Sequence, residues 1–238
     1  KKMIKKILTK KQFLEINQKM ALKMSKDKNL KKESLKIFIK ADKYRWVHQS
    51  SWMGEPILNL PQDMFAMQEI IYKTKPDYII EVGQAWGGGL LYYASLLELY
   101  GGKKAIGVDI FIPKDLKKRL NSKTKLKNKI DYITGDSTSY DTFKKVKKLT
   151  NNSKKIMVIL DSHHTHDHVH EELNLYSPLI NKGFYLVCSD TIINFIPEQK
   201  HRKREWGPQN NPYTAMMSFL KTNKRFQIDK DINNKYLF

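Results

Sequence analysis

From Pro76 onward, short apolar runs alternate with longer stretches in which apolar residues recur every three or four positions. Tyr78-Ile79-Ile80-Glu81-Val82, Ala105–Ile110, Ile130-Asp131-Tyr132-Ile133, Ile156–Leu160 and Phe184–Cys188 have the length and composition of buried strands. Between them, Leu90–Tyr100 predicts a helix that ends at Gly101-Gly102, and Leu116–Leu120 a short helical piece. Tyr140–Leu149 and a segment from about His166 to Tyr176 predict two more helices. Another is expected across Thr214–Leu220, and Phe226-Gln227-Ile228-Asp229 reads as a final strand. Strands that alternate with helices imply a mostly parallel, doubly wound α/β sheet covered on both faces.

Upstream the pattern is less regular. Residues 1–45 are patchily amphipathic: Ile4, Ile7 and Leu8 share one helix face, and Leu30, Ser34, Ile37, Phe38 and Ala41 another. Trp46 to Asp63 is rich in turn formers. Asp63 reads as the cap of a helix through Met64, Met67, Gln68, Ile71 and Tyr72. The expected organisation is a helical N-terminal extension, residues 1–45, ahead of one α/β domain, residues 46–238.

Charge adds a partner question. The formal net charge is +20, and residues 1–50 hold sixteen Lys and Arg against four Asp and Glu. An excess of this kind suits nucleic acid, a membrane face or an acidic glycan. Nucleic acid is the weaker of these, because no aromatic residues interleave with the lysines as in a single-strand groove. The extension can serve as a dimerisation arm, a membrane-surface contact or a linker. No apolar run approaches the ~18 residues that span a bilayer, no signal-peptide pattern opens the chain, and Cys188 is the single cysteine. These features predict a cytoplasmic protein with no transmembrane segment.

Chemistry concentrates at the ends of the predicted strands, where open α/β sheets bind ligands. Glu81-Val82-Gly83-Gln84-Ala85-Trp86-Gly87-Gly88-Gly89 joins the first strand to its helix, a glycine-rich turn without the GxGxxG spacing. Asp109 ends the second strand, and Gly135-Asp136-Ser137 follows the third. An acid after each of the first two strands and Gly-Asp after the third fit an S-adenosylmethionine site, which needs no phosphate cradle. Glu81 can hold the cationic tail of that cofactor or simply cap a turn. After the fourth strand, Asp161 to His170 contains five of the seven histidines. Carboxylate and imidazole there can bind a metal, move a proton, or both.

These motifs, in this order, resemble the cephalosporin hydroxylase family, which includes rhamnosyl O-methyltransferases. The resemblance rests on Trp52-Met53-Gly54-Glu55-Pro56-Ile57, Pro61-Gln62-Asp63, the glycine-rich turn, Gly135-Asp136-Ser137, Leu160-Asp161-Ser162-His163-His164-Thr165-His166-Asp167-His168-Val169, Ser189-Asp190-Thr191, and Trp206-Gly207-Pro208 with Asn210-Asn211-Pro212. It also takes in Asp229 and Asp231-Ile232-Asn233-Asn234-Lys235, and runs from about Trp46 to the C-terminus. It implies the Rossmann-like fold of class I S-adenosylmethionine-dependent methyltransferases and methyl transfer to a sugar hydroxyl of a glycan or glycoside. Glu81, Gly83, Gln84, Ala85, Gly87, Gly88, Asp109, Asp136, Ser137 and Asp161 would line the cofactor site. Asp161 and Asp190 would ligate a divalent metal, Mg²⁺ by ligand type, and His164 would be the general base. Ser189 departs from the family, which usually carries Glu before that Asp, so one anionic ligand is missing.

The remaining histidines, His163, His166, His168 and His170, read as helix-capping and surface residues, and HExxH zinc spacing is absent. Trp206–Pro212 can form a lid over the acceptor. Trp86 either stacks on substrate or packs, while Tyr92 and Tyr93 read as core. Two other functions stay open at this level: a nucleic-acid methyltransferase, and a non-catalytic module that keeps the fold. A homo-oligomer is compatible with either.

Overall fold

The computed structural model describes residues 7–122 and 125–237. Ile4, placed above on a helix face with Ile7 and Leu8, lies outside them. Two helices open the described chain, α1 (Lys10–Lys26) and α2 (Lys28–Asp42). Thr9 and Gln12 form a capping box at the start of α1, and Asp27 ends α1 and caps α2. A two-stranded hairpin follows, β1 (Ser51–Trp52) with β2 (Glu55–Pro56), then α3 (Pro61–Thr74).

The α/β unit then runs β3 (Tyr78–Val82), α4 (Gly88–Tyr100), β4 (Lys104–Asp109), α5 (Lys114–Asn121), β5 (Ile130–Thr134), α6 (Tyr140–Leu149), β6 (Ile156–Leu160), α7 (His166–Tyr176), β7 (Leu186–Cys188), α8 (Pro212–Thr222) and α9 (Lys230–Asn233). All five strands are parallel, in the order β5-β4-β3-β6-β7. This is the doubly wound, Rossmann-like arrangement that the alternating pattern predicts.

Period-two alternation divides each strand between two cores. Ile79, Ala105, Met157 and Ile159 face α3 and α4. Ile80, Val82, Ile106, Val108, Val158 and Leu160 face α6, α7 and α8. Glu81, between Ile80 and Val82, must therefore point to the α4 side of the sheet. A third, smaller cluster joins Phe38 of α2 to Leu60 and Ile196. Asp42, buried at the end of α2, takes hydrogen bonds from Gln199 and Arg202, with His201 Nε2 3.1 Å away. Helix α2 is thus pinned to the body, whereas α1 buries no residue.

Three expectations need correction. Asp63 does not cap α3: Leu60 is the cap residue, Pro61 opens the helix, and Asp63 sits in its first turn. Phe226–Asp229 is not a strand. Phe226 packs on Phe219, while Asp229 accepts the Tyr185 hydroxyl and caps α9. Ile37, placed on one helix face with Leu30, Ser34, Phe38 and Ala41, is largely exposed, because the docked face of α2 is the one carrying Ser34 and Phe38.

Candidate active site

The chain winds from β3 outward to β5 on one side and from β6 to β7 on the other. The C-terminal ends of β3 and β6 therefore frame a switch-point crevice, the usual ligand position in such sheets. Leu160, the last residue of β6, pairs in register with Val82 of β3. This register brings Glu81 and Asp161 to neighbouring positions.

Glu81 is buried, and burial first, then the charges of Asp161 and Asp109, holds its carboxyl well above the usual carboxylate range. One carboxylate oxygen abuts Gly89 in the first turn of α4; the other, Oε2, is buried without a partner. Gln84 is buried beside it, with both amide atoms also unpartnered. Buried polar groups are nearly always satisfied. Unpaired ones at the mouth of the crevice fit a cationic, hydrogen-bonding ligand.

The glycines have a second reason to be there. Gly83 has φ +86°, and a Cβ on it would overlap the Asp161 carbonyl and Ser162 Cα. A Cβ on Gly88 would overlap the Pro56 carbonyl of the hairpin, and Gly87 caps α4 in the left-handed region. At these positions the close approach is protein backbone to protein backbone. Gly83→Ala is expected to destabilise the fold by about 2 kcal/mol or more, since both sterics and φ oppose the methyl group. That corresponds to a fall in Tm of roughly 4–8 °C for a chain of this length; an unchanged Tm would contradict it.

Asp109 ends β4 and takes hydrogen bonds from the backbone N–H of Ala85 (3.2 Å) and of Phe111 (3.3 Å). It thereby ties the glycine-rich turn to the second strand. Asp136 is exposed, and the Thr138 backbone N–H and hydroxyl lower its carboxyl below the usual range. Ser137 turns inward: its Oγ lies 3.1 Å from His168 Nε2. Trp86 is exposed, and Tyr92 and Tyr93 are buried.

At the end of β6 and β7 lies a compact cluster. Ligand atoms of Asp161, His164 and Asp190 all fall within 4.8 Å of one another. It is the one such group of His, Cys, Asp and Glu found among the described residues. His164 Nε2 is 3.0 Å from Asp190 Oδ2. Burial lowers the His164 pKa, opposed by Asp190, so the ring is neutral near pH 7. Burial raises the Asp161 carboxyl well above its ordinary range, with Asp190 and Asp63 adding repulsion and an Asn59 hydrogen bond opposing it. Asp190 holds a left-handed backbone, φ 54°, a conformation Asp tolerates better than most residues. Ser189 contributes its backbone N–H to the Leu160 carbonyl.

Asp63 is the acid that the sequence pattern missed. Burial, then the charge of Asp190, pushes its carboxyl up to about 7. It lies in the Pro61-Gln62-Asp63 motif but reads as a simple cap until α3 is folded against the crevice.

His168 is a further correction. It is no surface residue but the hub of a polar network: its Nε2 lies 3.1 Å from both Ser137 Oγ and Ser162 Oγ and 3.2 Å from Glu172 Oε1. Glu172 is fully buried, and the hydrogen bond to it raises the His168 pKa. The network links the loop after β5 to the loop after β6. His166 and His170 stack on each other, with His166 Nδ1 2.8 Å from Thr214 Oγ1.

The Trp206–Pro212 loop roofs the cluster. The Trp206 ring meets His164 edge-on, with ring centroids 4.8 Å apart, and the Arg204 guanidinium lies over the Trp206 ring, 4.8 Å from its centroid. Asn210 accepts the His166 backbone N–H, and buried Asn211 holds Gly207 and Asn194. The loop is tied to both α7 and α8.

The chain is similar to proteins of a known family. The family model described as rhamnosyl O-methyltransferase/CmcI matches residues 44–238. A rhamnosyl O-methyltransferase of Mycobacterium bovis (strain BCG / Pasteur 1173P2) is 30% identical over 151 residues, covering 63% of this chain and 60% of the relative. One of Mycobacterium leprae (strain TN) is 33% identical over 150 residues, covering 62% and 63%. The chain thus spans about three-fifths of the length of these relatives. An apo structure of CmcI shares the fold, with a TM-score of 0.50 and 18% identity over 73% of this chain and 66% of that one.

Proposed function

Since this chain belongs to the rhamnosyl O-methyltransferase/CmcI family, we propose that it is an S-adenosylmethionine-dependent O-methyltransferase acting on a sugar hydroxyl, with a deoxyhexose such as rhamnose in a glycan or glycoside as the acceptor. The carrying observation is the Asp161–His164–Asp190 cluster at the same switch point as the unpartnered Glu81 carboxylate. In this reading residues 46–238 form the catalytic domain and residues 1–45 a basic extension.

Glu81 and Gln84 offer buried acceptors and donors for the amino-acid tail of the methyl donor, and Asp109 and Asp136 stand where its ribose and adenine would lie. The donor supplies an electrophilic methyl group. The cluster also fits a divalent cation: the Asp161 carboxyl, held above its usual range by burial and by the charges of Asp190 and Asp63, would be relieved by positive charge beside it, and Asp190 offers a second oxygen donor. Asp161 and Asp190 would hold Mg²⁺, with a water in place of the carboxylate that Ser189 lacks; the ion would polarise the acceptor hydroxyl.

His164 does the proton work. Asp190 can only accept at Oδ2, so Nε2 carries the ring proton and Nδ1 is left to take the proton of the hydroxyl. Trp206 shields the ring from water. The main requirement beyond this is in-line placement of the two reactants.

Cation binding is expected to release protons, because burial holds the Asp161 carboxyl well above the usual carboxylate range and pushes that of Asp63 up to about 7. Mg²⁺ affinity should rise with pH between 6 and 8, by up to about tenfold per unit for each proton displaced. Calorimetry in buffers of different ionisation heat checks this; a pH-independent affinity would contradict it. The function itself is tested by transfer of labelled methyl from S-adenosylmethionine to rhamnosides, with and without Mg²⁺. No binding of the methyl donor by calorimetry would sink the proposal.

A further inference from the structure

Helix α1 presents an unusual surface. Phe13, Leu14, Ile16 and Met20 are each between 45% and 55% exposed, and Ile7 ahead of the helix is 90% exposed. Phe13, Ile16 and Met20 recur at three- and four-residue spacing, so they form one stripe. Lys19, Lys23 and Lys26 recur at the same spacing and form a second stripe, about a quarter-turn away around the axis. The capping box fixes where the helix starts, and α2 mounts it on the body through Phe38 and Asp42. Apolar side chains this exposed and this ordered mark an interaction surface.

Charge decides the partner. A second copy of this chain would bring another formal +20, with its own lysine stripes, against this face. A nucleic acid would satisfy the lysines but leave Phe13, Ile16 and Met20 in water. An anionic lipid surface satisfies both: the apolar stripe enters the boundary of the acyl chains while the lysines reach the headgroups. We propose that α1 is an amphipathic anchor that lies flat on an anionic phospholipid surface.

Co-sedimentation of the full chain with vesicles tests this, using phosphatidylcholine alone against phosphatidylcholine with roughly one third phosphatidylglycerol. Binding should be at least about tenfold stronger on the anionic vesicles and weaken as salt rises. The triple variant Phe13→Ser, Ile16→Ser, Met20→Ser should lose at least about tenfold of that binding. Lys19→Gln with Lys23→Gln should lose mainly the salt-sensitive part. Unchanged melting temperatures in both variants would show that the fold is intact, since none of these side chains is buried. Equal binding to both vesicle types, or none, overturns the proposal. So does a dimer that the triple variant turns into a monomer while the wild type ignores vesicles. Tight binding of an RNA oligonucleotide that is indifferent to Phe13 and Ile16, without vesicle binding, overturns it as well.

Discussion

Asp161→Asn is expected to lower kcat/KM for methyl transfer by about 10³-fold while leaving the fold intact or more stable. The side chain keeps its shape and can keep the Asn59 contact, so what is removed is the negative charge. That charge is half-buried at the switch point, faces Asp190 and Asp63, and is the one the cluster needs to hold a cation. Removing one preorganised electrostatic partner from a dry site typically costs 10²–10³ in rate (about 2.7–4 kcal/mol). Loss of a metal ligand puts the effect at the upper end.

The stability effect has the opposite sign. A carboxyl whose pKa is raised in the folded state binds more protons there than in the unfolded chain, so stability falls as pH rises above the unfolded value. In the absence of metal, wild-type Tm should therefore decline as pH rises from about 4 to about 7 on account of Asp63, with the raised Asp161 carboxyl acting in the same direction. Asp161→Asn should decline less and melt higher than wild type at pH 8. Added Mg²⁺ should stabilise the wild type and not the variant. A variant that melts lower at every pH would mean that Asp161 serves packing instead of charge.

His164→Ala is expected to lower kcat by about 10²–10⁴-fold, the usual worth of a positioned general base, with little change in affinity for the methyl donor. The wild-type pH profile gives an independent check. Burial lowers the His164 pKa, so the ring is neutral and competent at pH 7 and gains a proton only at lower pH. Rate should therefore fall on the acid side, below the ordinary histidine value of about 6.5, and this limb should vanish in the variant. Because His164 belongs to the same 4.8 Å cluster as the two acids, a ligand role makes a different prediction. Mg²⁺ affinity would drop with the rate, and excess metal would restore it. Rate loss that excess Mg²⁺ does not restore supports the base.

Much of the fold was legible because its signals are local. β3, β6, α6 and α7 begin and end where the apolar periodicity places them, since each strand or helix face is set by its own few residues. The Asp161–His170 segment stood out because it follows an apolar run that ends at the ligand-binding edge of a parallel sheet, whereas the roles of Asp161, His164 and Asp190 came from the family resemblance. Phe226–Asp229 misled for the same reason. Its alternation is real, but Tyr185 and Phe219 take Asp229 and Phe226 as side-chain contacts, with no strand alongside them.

Sequence alone determined the alternating α/β order, the glycines of the turn after β3, the acids at the strand ends, and the excess of lysine in the first fifth of the chain. Only the tertiary structure decided that Asp63 bears on Asp190, that His168 and Glu172 join two loops from inside, and that α1 leaves its apolar stripe uncovered. Periodicity shows that a residue has an inward or outward face, whereas burial and pKa depend on groups brought together from distant parts of the chain. Such meetings are fixed when the helices dock on the sheet, and nothing within a window of ten or fifteen residues records them.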